Sequence, residues 1–295
     1  MEVVVPQTEQ IGVEMFDVDV ASIAPSAVES IKQLLYTHKL VIFKDQKITP
    51  DQYIAFAKQL GTPQIYFGDN YHHPDYPEIF VSSNMLIDGK KIGVSGTGQY
   101  WHTDCAFQPE PLSLTMLYPQ VWPRSIRATY YIDMDQVYNK LPPELKQYVE
   151  GQEALHEAKW RYKVQARDID RALIDVLNDI EKKAPPVTHP TVITHPVTHQ
   201  RSLYISRGFT TKIAGLNYED SKEILDKLFA FIEQDQHIHT HVWQEGDILL
   251  WDNRALLHKA SSVPEGEPNI SYRIGIYDGL PFYAEQTHLI SRNII

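Results

Sequence analysis

His102 and Asp104, separated only by Thr103, constrain this chain together with His258, which lies far downstream. On an extended strand, residues i and i+2 point to the same face, so a His-x-Asp pair can present an imidazole and a carboxylate side by side. A second imidazole from His258 can join them only if the fold returns a late strand to an early one.

The residue pattern agrees with a β-rich chain carrying helices. Residues 26–39 have helical apolar spacing, and Leu40 to Phe43 reads as a short buried strand. Thr49-Pro50-Asp51 opens a second helix through about Leu60, closed by Gly61. Short β-like runs follow at 78–83, 112–118 and 128–132, then a charged stretch at 135–183 that is expected to be mostly helical. Strands return at 202–207 and 238–243. Glu245-Gly246-Asp247 then forms a tight turn into Ile248 to Trp251, and 271–277 supplies the last strand. The expected fold is mostly β with α: a double-stranded β-helix, or jelly roll, decorated by N-terminal and inserted helices. Residues 1–295 are expected to form one domain, with the helical insert at about 135–183.

With 43% hydrophobic residues in 295, the chain can bury a sizeable core. No apolar run approaches the roughly 20 residues that span a bilayer, and no stretch near residue 1 pairs a basic region with an apolar run, so an unexported protein is expected. Cys105 is the single cysteine, which excludes an internal disulfide and fits a reducing cytoplasm, the expected location. A formal charge of −11 argues against nucleic acid as a partner. It leaves room for a small anion held by a few buried cations. No membrane partner is expected, and the sequence leaves homo-oligomers open.

Thirteen histidines make any single one weak as a sign of a metal site. His189, His195 and His199 lie in a Thr/Pro-rich stretch, His237, His239 and His241 alternate along one strand, and His72-His73 precedes Pro74. What distinguishes His102, Asp104 and His258 is joint context: an aromatic before the first pair, Trp251-Asp252-Asn253-Arg254 before the last ligand, and Arg273 after it. Two imidazoles and a carboxylate on one metal face leave the remaining octahedral positions open for a co-substrate and O2, the requirement of non-haem Fe(II) oxygenases. A metal-free or zinc-holding jelly-roll binding protein is the alternative from another class.

These motifs resemble the taurine dioxygenase (TauD/TfdA) superfamily of Fe(II)/2-oxoglutarate oxygenases over residues 10–285. Thr129 follows Asp104 with 24 residues between, and Arg273 follows His258 with 14 between. The resemblance implies Fe(II) on His102, Asp104 and His258, with 2-oxoglutarate and O2 as co-substrates. It implies Arg127, Thr129 and Arg273 around 2-oxoglutarate, with Arg273 alternatively facing the substrate.

A narrower likeness is carried by Tyr66-Phe67, Tyr71-His72-His73-Pro74, Phe107 to Pro111, Thr129 to Asp133, Lys163 and Tyr204-Ile205-Ser206. These resemble the isonitrile-forming oxygenases of isonitrile lipopeptide biosynthesis. That likeness implies a substrate held by Tyr66, Phe67, Tyr71, Lys163 and Arg273. It departs from the pattern at Phe67, where a second tyrosine is expected, and after Lys163, where an arginine and a proline are missing. The implied substrate is an N-carboxymethyl-3-amino acid, a small anion that the sequence allows to arrive free or carried in a natural-product pathway. The implied reaction is hydroxylation followed by oxidative decarboxylation to a 3-isocyano acid. The alternative is a taurine-dioxygenase-like hydroxylation of another small anionic substrate. On sequence alone, Trp101 and Trp251 read as core walls and Arg254 as a structural ion-pair partner.

Overall fold

The computed structural model describes residues 2–5, 11–87 and 89–284. An eight-stranded sheet runs β1 (Glu2–Val4), β2 (Val13–Phe16), β3 (Leu40–Phe43), β16 (Ile248–Asp252), β8 (Leu114–Val121), β18 (Ile270–Tyr277) and β4 (Thr62–Pro63), and β5 (Phe80–Ser83) also pairs with β18. A three-stranded sheet has the order β15 (Ile238–Val242), β9 (Ala128–Asp133), β17 (Leu256–Ala260). The two face each other as the double-stranded β-helix expected from sequence.

Period-two alternation sorts the side chains into layers. Val41, Phe43, Ile248 and Leu250 turn outward to a cluster that includes Val28, Ile31 and Leu35 of α1 (Pro25–His38) and Phe56, Ala57 and Leu60 of α2 (Pro50–Leu60). Leu40, Ile42, Leu249 and Trp251 turn inward and pack with Tyr131 and Leu256 of the smaller sheet. That sheet's outer residues, Ile132 and Leu257, are covered by Leu225, Leu228 and Ile232 of α6 (Tyr218–Ile232). The order is helices, large sheet, small sheet, helix. Burial of β3 and β16 on both faces explains why they read as unbroken apolar runs.

The start of α2 follows its sequence signals. Thr49 accepts from the Gln52 backbone at 3.3 Å, while Gln52 accepts in return from the Thr49 N–H at 2.8 Å, with Pro50 at the first helical position.

The stretch 135–183 departs from expectation. It contains α3 (Met134–Lys140), the short α4 (Pro143–Lys146) and α5 (Leu173–Lys183), but also β10 (Glu153–His156). β10 pairs with β11 (Val187–Pro190) and β14 (Thr210–Ile213) in a further sheet, so the insert is mixed and not mostly helical. The charged composition suggested helix, whereas Ala154 and His156 alternate inward and are buried. The strand expected at 202–207 is limited to β13 (Arg201–Leu203), which pairs with β12 (Val192–Thr194). A hairpin of β6 (Leu86–Ile87) and β7 (Lys90–Lys91) completes the strands among the described residues. No helix among them is long and apolar enough to cross a membrane.

Candidate metal centre

His258 lies on β17, and its backbone pairs directly with that of His102. The His258 N–H donates to the His102 carbonyl at 2.9 Å, and the His102 N–H returns the bond at 3.1 Å. This isolated antiparallel bridge sets the two imidazoles side by side, with ring centroids 4.1 Å apart. His102 and Asp104 do not share the one strand face that their spacing predicts. His102 occupies a single bridge rather than a strand, and the chain enters a turn at Asp104, followed by Cys105 at φ 55°. Asp104 is therefore aimed by its bonding partners and not by strand alternation.

Those partners are specific. The Thr115 hydroxyl donates to Asp104 Oδ2 at 2.7 Å, and Arg273 Nη1 donates to Asp104 Oδ1. The Nε2 atoms of His102 and His258 each lie 3.7 Å from an Asp104 oxygen, and the three buried residues offer ligand atoms within 4.8 Å of one another.

The protonation states suit metal binding. Burial lowers His102, and burial with the neighbouring His102 ring lowers His258 well below the ordinary range, so both imidazoles are neutral at pH 7. Burial alone would raise the Asp104 carboxyl, but Arg273, His258 and His102 outweigh it and hold it at about 2. Because the Tyr100 carbonyl can only accept, His102 Nδ1 donates to it at 2.8 Å and Nε2 keeps its lone pair toward Asp104. A neutral histidine pair and an ionised carboxylate in a buried pocket form a donor set that fits Fe(II).

The same pocket gathers the other sequence-predicted residues: Tyr66, Phe67, Tyr71, Arg127, Thr129, Lys163 and Arg273 all line it. Arg127 is 5% exposed and has no ion-pair partner among the described residues. It bonds Ser261 and Asn269, lies 4.7 Å from the Trp243 ring centre, and is lowered to about 10 by burial. Thr129 accepts from the Trp243 indole at 2.9 Å. Tyr66 packs on Phe67, Tyr71 and Phe80, and burial raises both Tyr66 and Tyr71, the latter to about 12. Their hydroxyls have no hydrogen-bond partner among the described residues. Lys163 is exposed on the insert and likewise has no partner there for its ammonium.

Sequence reasoning missed Trp243, which joins Arg127 to Thr129, and Arg161, which stacks on Tyr100 at 4.4 Å. Arg161 lies two residues before Lys163, a signal too ordinary in a charged segment to single it out. The other histidines have local duties. His195 pairs with Asp252 at 2.7 Å, His241 with Asp247 at 2.9 Å, and His72 donates to the Tyr66 carbonyl at 2.7 Å.

The chain matches the family described as taurine catabolism dioxygenase TauD, TfdA family, over residues 4–274. It is 28% identical to pentalenolactone F synthase of Streptomyces arenae over 261 residues, covering 85% of this chain and 87% of that one. It is 29% identical to the alpha-ketoglutarate-dependent 2,4-dichlorophenoxyacetate dioxygenase of Cupriavidus pinatubonensis over 259 residues, covering 84% and 87%. In fold it is similar to AAD-2, solved in complex with Mn(II) and N-oxalylglycine, at a TM-score of 0.78 and 22% identity over 95% of this chain and 100% of that one. The chain therefore belongs to the TauD/TfdA family and is an Fe(II)- and 2-oxoglutarate-dependent dioxygenase.

Proposed function

We propose that His102, Asp104 and His258 hold the Fe(II), and that the enzyme converts an N-carboxymethyl-3-amino acid into a 3-isocyano acid. The observation that carries this reading is a pocket with more cationic capacity than one co-substrate needs. Among the described residues Arg127 is a buried guanidinium without a counter-charge, and such a group is costly unless an anion completes it. The distal carboxylate of 2-oxoglutarate, beside Thr129, supplies that anion. Lys163 and Arg273, the latter also paired with Asp104, line the same pocket with the phenols of Tyr66 and Tyr71 and are assigned to a substrate bearing two carboxylates.

When bound, Fe(II) with 2-oxoglutarate and O2 supplies two-electron oxidation, releasing succinate and CO2. The protein's part is to orient the substrate methylene next to nitrogen and to exclude water with the Tyr66, Phe67 and Phe107 rings. Conversion of R–NH–CH2–COOH to R–N≡C and CO2 removes four electrons and four protons. Two 2-oxoglutarates and two O2 accept them, with two waters formed. The whole chain is read as one working unit acting in the cytoplasm.

The test is anaerobic loading with Fe(II), then addition of O2, 2-oxoglutarate and N-carboxymethyl-3-aminobutyric acid. Isonitrile product with two succinates per turnover is expected. Arrest at a hydroxylated or cleaved product with one succinate overturns isonitrile formation and leaves the other reading, hydroxylation of another small anion. The relative named for 2,4-dichlorophenoxyacetate favours that reading, since its substrate is a single carboxylate.

A further inference from the structure

We propose that Thr115 and Asn253 are positioning residues for the Asp104 carboxylate, acting through a one-way chain of hydrogen bonds that begins at Trp251. The inference rests on the reading of Asp104 as a metal ligand. Four buried groups lie in series. The Trp251 indole donates to Asn253 Oδ1 at 3.0 Å, Asn253 Nδ2 donates to Thr115 Oγ1 at 2.8 Å, and the Thr115 hydroxyl donates to Asp104 Oδ2 at 2.7 Å. Trp251, Asn253 and Thr115 are each 1% exposed or less.

The direction of the chain follows from the chemistry of its first member. An indole N–H can only donate, so the Asn253 oxygen must face Trp251. The Asn253 amide nitrogen must then face Thr115. With its oxygen accepting from that amide, the threonine has its single proton free for Asp104. No rotation of a hydroxyl and no flip of an amide preserves all three bonds in any other sense.

The scaffold beneath is equally fixed. Trp251 and Thr115 are direct partners in the β16–β8 pairing, and the Asn253 N–H donates to the Ser113 carbonyl at 2.9 Å. With Thr115 on Oδ2 and Arg273 on Oδ1, the carboxylate plane is held from two sides. Asp104 needs this because it sits in a turn beside a left-handed Cys105, where strand geometry does not aim it. Asn253 of the Trp-Asp-Asn-Arg segment thereby reaches the metal centre through Thr115, whereas Trp251 also packs on the His258 ring, with centroids 4.7 Å apart.

The experiment is calorimetric titration of the metal-free protein with Mn(II), which shares the octahedral N/O preference of Fe(II) without its oxidation. Circular dichroism melting of each metal-free protein accompanies it. Thr115→Val keeps the shape and removes the proton, and should bind Mn(II) about 10- to 100-fold more weakly, the usual range for loss of such a partner. Thr115→Ser should restore affinity. Asn253→Asp, which accepts the Thr115 proton and draws it from Asp104, should weaken binding as Thr115→Val does. If Thr115→Val fails to fold, the Asn253→Asp and Thr115→Ser pair decides by the same comparison. Native affinity in the folded Thr115→Val protein, or in Asn253→Asp, overturns the proposal. A native protein that does not bind Mn(II), or a His258→Ala protein that binds it undiminished, overturns the metal-ligand reading instead.

Discussion

A guanidinium that is 5% exposed and has no carboxylate partner among the described residues is unusual, and Arg127 is one. Its neighbours Ser261, Asn269 and Trp243 satisfy some of its hydrogen-bonding and flank its face, but none carries a negative charge. The net cost of leaving it so is relieved when an anion binds. Arg127→Met should therefore raise the KM for 2-oxoglutarate by about 10- to 100-fold, the equivalent of losing one charge-assisted contact. The melting temperature should hold or rise, because the variant removes an unpaired buried charge. Initial rates at varied 2-oxoglutarate check this, and an unchanged KM would remove Arg127 from the co-substrate site. Arg273 has a different position. It bonds Asp104 and lies 4.2 Å from the Phe80 ring centre, which ties it to that carboxylate as well as to the pocket.

Among the elements, β10 has an acid-sensitive residue. His156 is 1% exposed, its Nδ1 lies 3.4 Å from the Thr210 hydroxyl, and its Nε2 has no partner among the described residues. Burial, with His189 nearby, lowers it to about 3, against 6.5 in an unfolded chain. The unfolded state then binds the proton first as pH falls, so stability is fully present above 6.5 and is lost progressively from there down to about 3. By pH 5 the loss from this group is on the order of 2 kcal/mol. Urea unfolding should show a lower midpoint at pH 5 than at pH 7, and His156→Gln should show a smaller drop. An equal drop in the variant would assign the acid lability elsewhere. The same strand shows why the insert is not mostly helical. The charge pattern of 135–183 resembles a solvated helix, whereas pairing of β10 with β11 and β14 is a long-range decision.

The layers are joined at one point by Arg254. Its guanidinium bonds both oxygens of Asp278 at 2.8 and 2.9 Å, the Phe282 carbonyl at 2.8 Å and the Ser113 hydroxyl at 3.2 Å. Tyr36 of α1 donates to the same Asp278 at 2.8 Å. One side chain after β16 thus connects, through Asp278, the helical layer with the residue that enters β8 and the segment after β18. Arg254→Ala leaves Asp278 buried without its cation, a change that typically costs about 3–5 kcal/mol. Denaturant unfolding should show a loss of that size, whereas a loss near 1 kcal/mol would mean that water replaces the guanidinium. The charge of the whole molecule sets its cations in contrast. Within a chain of net charge −11, Arg127, Arg273 and Lys163 converge on one pocket, so its clustering of cations is a local property of the fold.

The residue types for iron chemistry, the boundaries of α2, and the buried runs of β3 and β16 were legible in the sequence because each rests on short-range physics. A cap bonds three residues away, and alternation repeats every second residue. Tertiary structure alone decided that His102 pairs with His258, that Asp104 is aimed by Thr115 and Arg273, and that Arg127 lacks a counter-charge among the described residues. Each of these depends on which distant segments meet and in what register. Spacing along the chain names the candidates, and only closure of the two sheets settles their contacts.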